Sequence, residues 1–154
     1  MRLQQKLERE ARATGATYFG VADLSLTQQG AITPYESKLV SQFPLAISLG
    51  VALSKAIVDR IEDQSDSYAL HNYYHHIYEV VGPFIDVITL RLSQILMSAG
   101  FLALPVPSTQ LEVDREKMYG LFSHKMAEGL AGLGWIGKSC LLITPDRGPR
   151  VRFG

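Results

Sequence analysis

LAISLGVAL (Leu45–Leu53) is apolar almost throughout and is bounded by Pro44 and Ser54. A short Ile-, Val- and Leu-containing run between such breakers reads as a buried strand. It is far too short to cross a membrane as a helix. Just upstream, TYFGVA (Thr17–Ala22) is rich in strand-forming residues and reads as a second strand. Residues 2–14 precede it, with Leu3, Leu7 and Ala11 at four-residue spacing among charges; they predict an amphipathic helix stopped by Gly15. Between the two strands lie a polar turn at Gly30 and a short helix, Tyr35–Gln42, begun by Pro34.

Beyond the central strand, residues 54–62 predict another short helix, and the polar stretch Asp59–Ser67 a loop or helix end. Tyr68–Ser98 is helical in character, with Gly82-Pro83 expected to kink or split it. Its second part is apolar nearly all round, which predicts burial on several sides. Gly100 ends it, and FLALPV (Phe101–Val106) reads as a strand. Leu111–Tyr119 is polar and gives no clear pattern. Ser123 is placed to cap a helix running through Leu130. Leu141–Thr144 and Arg150–Phe153 read as strands, and the turn residues Pro145-Asp146-Arg147-Gly148 between them predict a hairpin. Strands and helices alternate around a long central helix. The expected architecture is one α+β domain over 1–154, an α/β sandwich with a mixed β-sheet flanked by helices.

Fifteen basic and fifteen acidic residues cancel, so composition gives no reason to expect nucleic acid or an anionic membrane as partner. A single cysteine, Cys140, rules out an internal disulfide and fits a reducing, cytoplasmic setting. No secretory segment follows Met1. The chain stops at Gly154 inside what reads as a strand, so a truncated protein is expected.

Several clusters are candidates for chemistry. Gly129, Gly132, Gly134 and Gly137 surround Trp135 and precede Lys138. Glycines let a backbone approach a ligand, and amides beside a lysine suit an anion. A tight structural connection with Trp135 in the core explains the same glycines. The spacing is neither that of a Walker loop nor a clean dinucleotide fingerprint. Tyr68, His71, Tyr73, Tyr74, His75, His76 and Tyr78 form an aromatic–histidine run. On a helix, His71 and His75 share a face, as do Tyr74 and Tyr78. Two histidines without a nearby carboxylate make a poor metal site, so no metal is expected; lining a pocket or moving a proton suits them better. Ser123-His124-Lys125 opens a helix, with Ser123 as its cap. Cys140, followed by Leu141 and Leu142, reads as a buried structural thiol.

The segment AGLGWIGKSCLLITPDRGPRVRFG (131–154) resembles the AGLGWxGKxxLLxTPxxG segment that closes the N-terminal domain of epoxyqueuosine reductase and related iron–sulfur proteins. YFGVAD (18–23), LAISLGVAL (45–53) and Tyr68, Ala69, Leu70, Tyr74 and His75 match more weakly, in the same order. The resemblance implies an N-terminal corrinoid-binding domain, nitroreductase-like in fold and similar to the cobalamin-binding part of reductive dehalogenases. It also implies a C-terminal ferredoxin-like domain beyond residue 154, whose [4Fe–4S] clusters pass electrons to a cobalamin cobalt. By the same resemblance, Ser123, His124, Lys125, Trp135, Ile136, Gly137, Lys138 and Leu142 would contact the cofactor. Tyr74 and His75 would face the reacting side. The family's proton-donating aspartate has no counterpart: Asp114 and Glu116 are out of register, and Tyr119, near its place, would donate the proton instead as a catalytic residue.

The expected function is therefore that of the front domain of a cobalamin-dependent oxidoreductase, with the isolated domain itself inactive. Its partners would be a small-molecule or modified-nucleoside substrate and its own ferredoxin-like domain, with tRNA involved only if the queuosine role holds. Two alternatives stand beside it: a non-catalytic binding domain of an electron-transfer protein, and a flavin-binding domain.

Overall fold

The structure, a computed structural model, describes residues 2–27, 34–63, 65–110 and 120–154. Helix α1 (Leu3–Thr14) buries Leu7 and Ala11. It stops where Gly15 takes φ +121°, a conformation that side chains rarely adopt. Strand β1 (Tyr18–Asp23) and α2 (Pro34–Gln42) lead to β2 (Leu45–Ala52). The short α3 (Lys55–Val58) ends in a 3-10 turn, Asp59–Glu62. Then come α4 (Ala69–His75), a π-helical turn (His76–Val81), α5 (Gly82–Ser98) and α6 (His124–Leu130). Three short strands close the chain: β3 (Trp135–Ile136), β4 (Leu142–Ile143) and β5 (Val151–Phe153).

Helix and sheet are mixed as expected, and β2 is the central strand of the order β1-β2-β5. The register runs from Tyr18↔Gly50 to Asp23↔Leu45 on one side and from Gly50↔Phe153 to Ala52↔Val151 on the other. Both pairings are antiparallel, so the mixed sheet expected from the alternation of elements is corrected to an antiparallel one.

The predicted hairpin of residues 141–144 with 150–153 is also corrected. β4 pairs with β3, and β5 pairs with β2. The cause is local. Thr144 and Gly148 exchange two main-chain hydrogen bonds, 2.9 and 3.0 Å, and close a tight turn that sends the chain away from β4. Phe101–Val106, expected as a strand, belongs to no sheet. Pro105 removes one amide donor within that segment, and Pro107 another directly after it.

Alternating side chains place β2 in two clusters. Leu49 and Phe19 pack with Leu7, Ala11, Ile88 and Leu92, under α1 and α5. On the opposite face Ala22 packs with Ala127, and Ala46, Met126 and Ala131 join them from β2 and α6. A third cluster, Leu53, Ile77, Val81 and Ile85, seats the π turn and the start of α5.

Residues 69–98 form one continuous helical run. Gly82-Pro83 does not split it. The widened turn at His76–Val81 lies directly before the pair, leaving Pro83 in the first turn of α5, where a missing amide hydrogen is tolerated. This run is long and apolar enough to cross a membrane by length and composition. Its buried face, Ile85, Ile88 and Leu92, is that of a core helix. Its opposite face is open: Val80, Val87, Leu90 and Met97 are exposed, so burial on several sides is corrected to burial on one.

Ile88 is fully buried between α1 and the sheet. Ile88→Ala is expected to lower stability by about 2–5 kcal/mol, read as a shifted urea midpoint with an unchanged slope.

Candidate functional site

Helix α6 and the glycine segment form one unit. Ser123 caps α6, its Oγ accepting the Met126 N–H at 3.4 Å. After Leu130 the chain turns through Gly132 and forms the β3–β4 hairpin, pairing Trp135↔Ile143 and Ile136↔Leu142. The Gly137 N–H donates to the Leu141 carbonyl at 2.9 Å and closes the loop. Lys125 Nζ donates to the Cys140 carbonyl at 3.0 Å and ties the tip to α6. The predicted cofactor residues Lys125 and 135–142 are thus brought side by side.

A Cβ on Gly134 would overlap the Ile143 carbonyl oxygen, and one on Gly137 would meet the Ile143 side chain at 2.9 Å. Close strand pairing therefore needs glycine at both positions. Leu142 is buried, on the strand that pairs with β3. Trp135 is not in the core. It and Ile136, neighbours that point to opposite faces of a strand, are each 56% exposed. Cys140 is exposed at the tip, with φ 59°, which corrects the buried thiol. Lys138 is exposed too.

The aromatic run divides. Tyr74 stacks on Tyr78 at 4.5 Å, and the Tyr78 ring lies 5.2 Å from the Arg152 guanidinium carbon, an aromatic–cation ladder from α4 to β5. His75 lies instead in a separate cleft of about 360 Å³ between α3 and α4, with Arg60, Asn72 and His76. His76 Nε2 faces the Ser54 N–H at 3.1 Å, a bond that joins the two helices. Tyr119 lies outside the described residues. Among the described residues no three His, Cys, Asp or Glu side chains gather into a metal-holding group.

Sequence reasoning missed a polar cluster on the inner side of α6. Glu128, one turn after His124, is 2% exposed, and burial pushes its carboxyl up to about 7 against the opposing pull of Arg152 and Lys125. His124 Nε2 lies 2.8 Å from the Pro107 carbonyl, and burial pushes its pKa down. The ring is therefore neutral at pH 7 and donates that N–H. Arg152 Nη2 donates to the Ser108 carbonyl and to Thr109 Oγ1, both at 2.8 Å, while its buried Nε has no partner. The Ser108 N–H donates to Asp86 at 2.7 Å. Gln110 clasps both main-chain groups of Phe122, at 2.7 and 2.9 Å. A signal for Glu128 existed: His124, Ala127, Glu128 and Ala131 share the spacing of one helix face, and two of the four are alanines. A carboxyl near 7 is suited to proton exchange around neutrality.

No family model matches the chain, and neither a curated protein nor a solved structure matches it. Two half-open clefts among the described residues, about 150 and 360 Å³, are at or below the small end of ligand sites. The hairpin leaves Trp135, Ile136 and Lys138 exposed, with Lys125 bonded to its tip.

Glu128 sets a pH dependence. Between about 4.5 and 7 the folded chain holds a proton that the unfolded chain has lost, so stability falls as pH rises through that window and levels off above it. His124, shifted down, acts in the opposite sense, so the diagnostic is a difference. Glu128→Gln is expected to gain on the order of 3 kcal/mol over the parent at pH 8 and nothing at pH 4, by urea unfolding. Gly134→Ala is expected to unpair the hairpin, seen as faster hydrogen exchange at the Gly137 amide with the core amides unchanged.

Proposed function

We propose that this chain is the ligand-holding front domain of an epoxyqueuosine reductase-like, corrinoid-dependent iron–sulfur reductase, working in the cytoplasm. The observation that carries the reading is the hairpin. Its sequence resembles the segment that closes the N-terminal domain in that family, and its two apolar residues Trp135 and Ile136 stand open on both faces, with Lys125 bonded to its tip and Lys138 exposed in its loop. Open aromatic and aliphatic surface with one held and one exposed lysine suits a ligand with a broad apolar face and polar amide edges.

When bound, a corrinoid supplies a cobalt centre that takes up and delivers electrons. The chain's own residues hold and orient it: Trp135 and Ile136 by contact, Lys125 and Lys138 at its polar edge, with Ser123 fixing the start of α6. Glu128, on the inner side of α6, is the group suited to holding a proton around neutrality. A [4Fe–4S] cluster takes several cysteines, and Cys140 is the single one here, so the reading requires cysteines from a ferredoxin-like partner domain.

A second reading, a binding module without chemistry of its own, has one observation in its favour. Tyr74 is 60% exposed on the ladder while His75 lies in another cleft, so the two do not converge on one reacting point.

Trp135 is the chain's single tryptophan, so its emission reports on the hairpin directly. Titration with hydroxocobalamin is expected to quench it and to shift the cobalt absorption bands, and Lys138→Ala to weaken binding by about tenfold. No quenching and no band shift would sink the corrinoid reading, and a yellow protein on purification would replace it with the flavin one. If cobalamin binds but Tyr74→Phe and His75→Ala leave turnover in the complete reductase unchanged, the module reading holds.

A further inference from the structure

Helices α3 and α4 flank a cleft of about 360 Å³ that the hairpin reading does not use. From α4 come Ala69, Asn72 and His76, and Val80 follows from the π turn. Steps of three, four and four residues put them on one helical face. From α3 come Ala56 and Ile57, with Arg60 about one turn on. The two helices are joined at one end, where the Ser54 N–H donates to His76 Nε2 at 3.1 Å. Ala56, Ile57, Ala69 and Val80 make this half of the lining hydrocarbon.

The other half carries hydrogen-bond donors and one permanent positive charge. Arg60 Nε lies 3.5 Å from Asp66, an ion pair, and among the described residues the guanidinium makes no hydrogen bond. Asp66 accepts the Tyr68 N–H at 3.0 Å, which holds Arg60 beside the start of α4. His76 accepts on Nε2, so its neutral ring carries the hydrogen on Nδ1. Burial and the neighbouring His75 both push its pKa down and keep it neutral. The side chains of Asn72 and His75 make no hydrogen bond among the described residues. No Asp or Glu lines the cleft.

We propose that this cleft binds a small organic carboxylate, with the Arg60 guanidinium on its oxygens, Asn72 and the two histidines as further donors, and its hydrocarbon body against Ile57, Ala69 and Val80. Two properties select that class. The guanidinium fork matches the two oxygens of a carboxylate. The volume lies at the small end of ligand sites, which suits a body about the size of one ring. The cleft shares no residue with the hairpin, so the proposal stands whether or not a corrinoid binds.

The test adds benzoate to the 154-residue chain at constant ionic strength, followed by NMR. The His75 and His76 imidazole signals and the Ile57 and Ala69 amides are expected to shift along one saturable curve, half complete on the order of 1 mM. Benzamide has the same shape without the charge and is expected to leave them unshifted. Acetate lacks the ring and is expected to bind about tenfold more weakly. Arg60→Gln alters an exposed side chain and is expected to weaken benzoate by about tenfold. Asp66→Asn keeps the acceptor for Tyr68 while releasing Arg60, and is expected to tighten benzoate about two- to threefold, which a merely structural Arg60 would not do. The absence of a saturable shift would overturn the proposal, as would equal binding of benzamide. Acetate binding as tightly as benzoate would reduce the site to an adventitious anion contact and overturn it too. So would a benzoate response unchanged in Arg60→Gln, with circular dichroism showing the parent fold.

Discussion

Everything in this fold is arranged around β2. It hydrogen-bonds β1 along its full length on one side and β5 at its end on the other, and its alternating side chains serve both layers. Leu49 meets α1 and α5, while Ala46 meets the α6 layer. The small residues Ala46, Ser48 and Gly50 alternate with larger ones, which lets α6 approach one face closely while leucine and isoleucine fill the other. This asymmetry sets where the candidate site residues lie, because α6 and the hairpin tied to it are held against the small-residue face.

The polar cluster follows from that closeness. An α6 packed tightly on the sheet takes Glu128 out of water, and a carboxylate in that setting is costly unless it is paired or protonated. Arg152 and Lys125 pull it only part of the way back. The residues around it are fixed by hydrogen bonds instead: Ser108 to Asp86 and Gly82, Gln110 to Phe122, His124 to Pro107. The 107–110 loop is thereby clamped between α5 and the start of α6.

On the hairpin, exposed side chains stand on strands whose main-chain groups pair with each other, so that surface presents side chains and not free backbone.

Local signals set the elements. Four-residue spacing with Gly15 gave α1, Pro34 opened α2, the breakers around Leu45–Leu53 bounded β2, and Ser123 capped α6, because each of these rests on interactions within a few residues. The stacking of Tyr74 on Tyr78 was legible for the same reason, being a four-residue helical pair. Pairing partners were not legible, since strand-forming segments carry no label for the neighbour they choose. Residues 141–144 and 150–153 looked like a hairpin until Thr144 and Gly148 closed their own turn. Burial was only half legible. Cys140 and Trp135 sit among apolar neighbours in sequence and are open in space, while Glu128 is charged in sequence and buried in space. The sequence by itself determined which segments would be helix or strand and marked the glycine hairpin as a place of interest. Only the tertiary structure decided which side chains that hairpin exposes and that Glu128 lies on the buried face of α6, because each depends on contacts between residues far apart in the chain.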